Sequence, residues 1–247
     1  MGLINTKIHR DNLYLYLTEL DLITPLIKLL IQKGTKSKVG QWRTPWVYVC
    51  PSDQAHCDLY HRVFFDHLNH IHSFCRECWK VVVRPRNIIE LFDLYELQKD
   101  IGTPCKCGKE TRETTSSLYG GYFYNRGKKE GLEKYEEVRK LVNDQLSPET
   151  PVILKRACTE FEIGEGSKGP SDKWPDITWK EREWELRIEA LFPRYGGIGG
   201  GQPIPVQAYV MREWIHYAHS KGDPTYKQLT GGTPLVPPYV TYHKETR

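Results

Sequence analysis

His70-Ile71-His72-Ser73-Phe74-Cys75-Arg76-Glu77-Cys78-Trp79-Lys80-Val81-Val82-Val83-Arg84 is the stretch on which the reading of this chain turns. Residues 70–74 alternate polar with apolar side chains, Cys75 to Cys78 has the spacing of a thiolate knuckle, and the β-branched run that follows predicts a returning strand. A second short pair, Cys105-Lys106-Cys107, is followed by Gly108, which suits a position needing positive φ. Two such pairs let four sulfurs reach one tetrahedral ion. The expected cofactor is therefore zinc, with Cys75, Cys78, Cys105 and Cys107 as its ligands in a closed structural shell.

Residues 70–112 thus resemble the zinc-ribbon proteins, at the level of motif only. The shortened second pair and a helix expected at 88–98 between the two pairs depart from the usual ribbon form. They leave His70, His72 or Cys57 open as a replacement for one cysteine. The resemblance implies a rigid platform in nucleic-acid or nucleoprotein machinery, with no catalysis at the metal.

Outward from this segment, the expected fold class is α+β. Residues 1–45 read as a helical hairpin and basic loop, 46–115 as the zinc-ribbon domain with its inserted helix, and 116–247 as a mixed α/β C-terminal domain with an extended tail. In the first part Leu13, Tyr16, Leu17 and Leu20 form one helical stripe, and Thr24-Pro25 opens a second helix that Gly34 stops. Leu26, Leu29 and Leu30 on that helix are candidates for a protein partner. Further on, strands are expected at 46–50, 152–156 and 159–163. Helices are expected at 59–68, from after Gly131 to before Pro148, from Thr178 with a capping box to Glu181, and at 206–220.

The chain has 247 residues and 39% hydrophobic content, enough for a real core. It has no apolar run of membrane-spanning length and no secretory pattern at its start, so a soluble cytoplasmic protein without a membrane partner is expected. Seven cysteines without an export signal favour metal over disulfides, and Cys50, Cys57 and Cys158 read as buried apolar side chains. The net charge of +4 is small, but the bases cluster. Lys33, Lys36, Lys38 and Arg43 interleave with Trp42, while Arg76, Lys80, Arg84, Arg86, Lys106 and Lys109 surround the cysteine pairs. Together these residues form a candidate nucleic-acid surface.

The expected function is a non-enzymatic zinc protein acting on nucleic acid or a nucleic-acid-processing complex. The alternative is a protein-interaction factor, an inhibitor or assembly subunit, with purely structural zinc. A third reading starts from Asp66-His67 and Phe74-Cys-Arg-Glu-Cys-Trp-Lys80, which resemble part of an HNH nuclease. That resemblance implies His67 as general base and Asp66 as a metal holder. His70 and His72, on one face of an expected strand, form a candidate pair for metal or phosphate. The glycine cluster at 196–201 lacks the strand-to-helix setting of a phosphate loop. Cys158 has no histidine near it in sequence to activate it.

Overall fold

The computed structural model describes residues 44–50, 57, 59–164, 170–191, 202–232 and 235. The expected helical hairpin with Leu26, Leu29 and Leu30, and the basic loop with Lys33, Lys36, Lys38, Trp42 and Arg43, lie outside the described residues.

The protein is mixed α and β. Its centre is a five-stranded, wholly antiparallel sheet built from β1 (Trp46–Cys50), β2 (Cys78–Val83), β3 (Cys105–Lys109), β4 (Tyr119–Arg126) and β5 (Val152–Arg156), in the order β1-β3-β4-β2-β5. The helices are α1 (Ser73–Arg76), α2 (Ile88–Ile101), α3 (Gly127–Gln145), α4 (Thr159–Gly164), α5 (Trp179–Glu189), α6 (Ile204–Ser220) and α7 (Tyr226–Leu229). A π-helix spans Tyr60–Phe65. β4 and β5 pair with β3 and β2, so the segment expected to be a ribbon and the C-terminal part share one sheet across position 115.

Strand alternation gives the sheet two different faces. On one, Val47, Val81, Val83, Cys105, Cys107, Tyr119 and Phe123 are buried under α2, α3 and α6. Helix α2 forms as its sequence predicts. Asn87 accepts from the Glu90 amide at the N-cap, Ile88, Leu91, Leu94 and Leu97 make the buried stripe, and Gly102 at φ 67° ends the helix. Its close seating depends on Gly121 of β4, where a Cβ would stand 2.3 Å from Leu94 Cδ2. Burying each large apolar side chain here contributes roughly 1.5–3 kcal/mol.

A second core lies beyond the β2–β5 end. It gathers Tyr60, Val63, Phe64, Ile71, Cys75, Ala157, Phe161, Trp174, Trp184 and Ile188. Helix α5 joins it with the expected capping box, formed by Thr178 and Glu181. Two local expectations change in this region. Residues 70–74 do not pair with β2, because His70 and His72 turn to the carboxylates of α5, and His72 caps α1 by accepting from the Phe74 amide. β2 pairs instead with β4 and β5, so the expected ribbon hairpin is not formed. Residues 159–163 are helical rather than a strand, because Ala157 adopts φ 58° and turns the chain sharply out of β5.

Candidate functional site

The structure does not bring Cys75, Cys78, Cys105 and Cys107 together. Cys105 pairs with Phe123 and Cys78 with Arg126, three residues further along β4, so alternation puts Cys105 and Cys78 on opposite faces of the sheet. They are also separated by two strand spacings, about 9–10 Å, and by about 10 Å along the strands. Ligands of one zinc ion need sulfurs about 2.3 Å from a common centre. Cys105 and Cys107 belong to the apolar face, where burial pushes the Cys105 thiol up to about 12 and that of Cys107 well above its ordinary value. Among the described residues no three His, Cys, Asp or Glu side chains are gathered as a metal ion requires.

What the fold does gather is a set of thiols around Lys80. The Lys80 side chain, 8% exposed, emerges on the face opposite the apolar one and places Nζ 2.8 Å from Cys158 Sγ. Cys158 is the first residue after the Ala157 turn, between β5 and α4. The Ala157 amide donates to the Cys78 carbonyl at 2.8 Å, so Cys158 lies one residue beyond the cross-strand neighbour of Cys78. The same sulfur is hydrogen-bonded by His61. Cys75 shares the second core with Ala157, and Cys158 packs against that core.

Electrostatics single out one member of this set. Burial alone would raise the Cys158 thiol, but the Lys80 ammonium, followed by the His61 hydrogen bond, brings it down to about 6. Burial lowers His61, but its bond to Cys158 together with the Cys158 and Glu160 charges raises it overall. Burial is also the largest influence on the other three thiols. It pushes Cys57 up to about 12 and raises Cys75 and Cys78, with the Cys158 charge adding to each. At neutral pH the cluster therefore holds one thiolate and three thiols. As a residue Cys158 is half-buried, while its thiol is closely enclosed, burial being the largest influence on it.

The π-helix links this centre to a second polar site. Tyr60 stacks on His72 with centroids 4.0 Å apart, while the next residue, His61, stacks on Phe161 at 4.4 Å beside Cys158. Such helices recur at functional sites because they re-aim adjacent side chains. On the Tyr60 side, His70 Nε2 and His72 Nε2 lie 2.7 and 2.5 Å from Glu185 and Glu189, and Ser73 donates to Glu185 through both amide and hydroxyl. Arg182 bridges Ser73, Glu185 and Glu189. Because His72 Nδ1 accepts from Phe74, the ring proton is on Nε2. His72 is held down at about 4, chiefly by burial, and Glu185 is held at about 2 by its donors against its burial. The two histidines do share one environment, but each is committed to a carboxylate. A cleft of about 390 Å³ opens beside them, lined by Tyr60, His72, Phe74, Arg126, Arg182 and Glu189 among others.

The remaining sequence candidates disperse. Arg76 is buried and donates to the Ile71 and Pro175 carbonyls. Arg84 lies 3.8 Å from Glu110, and Arg86 pairs with Glu90 and Glu149. Lys106 is enclosed by the rings of Trp46, Tyr48 and Tyr122, and burial, then the Lys80 charge, lowers it to about 8. Lys109 sits over Tyr217. With Lys80 on Cys158, each of these bases is committed to a partner within the fold, and Arg86 alone of them is exposed, so they do not form one outward surface. Asp66 and His67 are exposed in the turn after the π-helix.

Sequence reasoning did not find the Cys158–His61–Lys80 set, because His61 and Cys158 are separated by most of the sheet. The cue that was available is Lys80, a lone base inside a β-branched strand. No family model matches the chain, and no curated protein or solved structure matches it either.

Proposed function

We propose that the protein is a thiol-dependent enzyme in which Cys158 is the nucleophile, Lys80 the fixed cation that keeps it ionised, and His61 the group that carries its proton. The observation that carries this reading is the single sulfur held at 2.8 Å by an ammonium and hydrogen-bonded by an imidazole. A nucleophilic cysteine requires a thiolate at neutral pH together with a neighbouring acid that can protonate a leaving group. The strand-turn-helix at Ala157 supports the assignment, since a non-glycine residue in the left-handed region persists only where its surroundings hold it. A nucleic-acid platform draws no support from the bases around the cysteine pairs, which are committed to separate partners within the fold.

The test is the pH dependence of iodoacetamide labelling, read at each cysteine by peptide mass spectrometry. Cys158 labels first, with a midpoint near pH 6, and the midpoint moves upward in Lys80→Met and His61→Ala. Labelling of Cys158 no faster than an unstructured peptide thiol at pH 7 overturns the proposal. So does one equivalent of zinc in the purified protein that is lost together with Cys75 and Cys78, because that outcome makes the cluster a metal shell.

A further inference from the structure

Resting on that reading of Cys158, we infer that the substrate class is a small hydroperoxide and that Cys78 is the resolving thiol, so that each turnover leaves a Cys78–Cys158 disulfide. An acyl-transferring cysteine has no use for neighbouring thiols. Here three of them surround the thiolate, and Cys78 is placed by the backbone itself. The Ala157 amide bonds the Cys78 carbonyl, Cys78 shares the Lys80 face of β2, and Lys80 reaches the Cys158 sulfur. Ala157 is the cross-strand neighbour of Cys78, and Cys158 follows it directly at the turn, so the two cysteines are adjacent across the β2–β5 pair, the setting in which a disulfide's roughly 4.4–6.8 Å Cα separation is reached. Cys75, by contrast, is fixed in the second core and only 5% exposed. The closely enclosed sulfur also selects for a compact reactant.

In the first step the Cys158 thiolate attacks the terminal peroxide oxygen. A sulfur–oxygen bond forms, the oxygen–oxygen bond breaks, and the departing alkoxide or hydroxide takes a proton from His61. Sulfur loses two electrons and becomes a sulfenic acid, and the peroxide is reduced to an alcohol or water. In the second step Cys78 gives its proton to His61 and attacks the sulfenic sulfur. The sulfur–sulfur bond forms, the sulfur–oxygen bond breaks, and the hydroxide leaves as water with the proton that His61 returns. A soluble dithiol supplies the two electrons that reopen the disulfide by thiol–disulfide exchange. The net reaction consumes one hydroperoxide and one dithiol and yields the alcohol, water and an oxidised dithiol.

The experiment treats the full-length protein, reduced and freed of reductant, with one equivalent of hydrogen peroxide and maps the products by mass spectrometry. The expected product is the Cys78–Cys158 crosslink. It is absent in Cys158→Ser, where peroxide consumption falls about 100-fold or more because the remaining thiols stay protonated at neutral pH. In Cys78→Ser the sulfenic acid persists on Cys158 and is trapped by dimedone, and rapid iodoacetamide labelling of Cys158 in that variant shows that the site is still folded. If Cys78→Ser disturbs the site, Cys78→Ala is read in the same way. The inference is overturned by a crosslink joining another pair, by equal dimedone trapping with and without Cys78, or by peroxide consumption unaffected in Cys158→Ser. If Cys158 labels rapidly with iodoacetamide yet forms no crosslink, the inference fails and the thiolate nucleophile stands.

Discussion

Two faces of one sheet treat cysteine in opposite ways. On the helix-covered face Cys105 and Cys107 sit among valines, leucines and Phe123, where no ammonium among the described residues is bonded to either sulfur and burial outweighs the Lys134 charge, so Cys105 is pushed up to about 12. On the other face Cys158 is also substantially enclosed, but Lys80 and His61 reach its sulfur and bring it down to about 6. The residue type is the same and the backbone scaffold is shared. Chemistry therefore resides in the partners that alternation delivers to each face, and a cysteine count cannot reveal them.

The comparison breaks most severely where the apolar face is cut. Phe123→Ala, at a fully buried position, is expected to cost about 3–5 kcal/mol in a denaturant titration. The Cys158 labelling rate per folded molecule stays unchanged, because Phe123 points away from that site. Gly121→Ala is a milder cut. The new methyl meets Leu94 of α2, and the expected loss is about 1–3 kcal/mol, read as a lower midpoint with unaltered labelling of Cys158. A large change in labelling from either substitution would show that the two faces are coupled.

On the other face the expected effect is on reactivity. Lys80→Met keeps most of the side-chain volume and removes the charge. Cys158 then returns toward the ordinary thiol range, and its labelling rate at pH 6 to 7 falls by about tenfold or more, since each pKa unit lost is a factor of ten in thiolate. Retention of the wild-type rate would transfer the activation to His61 alone.

Much of this architecture was legible in the sequence. The strands at 46–50 and 152–156, the Asn87-capped helix, and the Thr178 capping box all follow from local rules that the tertiary structure leaves intact. The central strand β4 was not legible. Paired glycines weaken a strand pattern, and only the seating of Leu94 against Gly121 explains why glycine is needed there. The cysteine pairs misled for a related reason, because spacing along the chain does not report on which face of a sheet a side chain emerges. Lys80 and Lys106 were read as surface charge, whereas one partners a sulfur and the other fills an aromatic enclosure. His70 and His72 were legible as a pair, but their partners, Glu185 and Glu189, came from a helix over a hundred residues away.

Those partners predict the acid response. His72 is held at about 4 against an ordinary 6.5, so the fold favours its neutral form, and stability falls as pH drops from 6.5 through 4. Glu185 is held at about 2 against 4.5, so its contribution is intact above 4.5 and is lost as pH falls toward 2. Both signs agree, and stability should rise with pH across this range with a slope of at most about 1.4 kcal/mol per pH unit for each group. His72→Asn flattens the upper part of the profile and Glu185→Gln the lower part, as seen in urea midpoints measured at several pH values. An unchanged profile in both variants would remove this network from the account of stability. Cys158 should be followed in the same series, since its labelling midpoint near 6 stays put if the two polar sites act separately.

The smallest expected effect separates the two-face description most cleanly from a four-cysteine shell. Cys107→Ala removes one fully buried sulfur from among apolar neighbours, so it should cost only about 1–2 kcal/mol and leave Cys158 labelling within twofold of wild type. In a shared zinc site the same substitution would open the shell, release the ion and expose Cys75 and Cys78 to alkylation, because structural zinc supplies folding energy directly. The two descriptions thus differ at Cys75 and Cys78, on the face of the sheet opposite the substituted residue. Peptide-resolved labelling of Cys75 and Cys78 in Cys107→Ala reads that difference. Unchanged labelling there keeps each cysteine pair within its own face, and faster labelling would join them through a common ion.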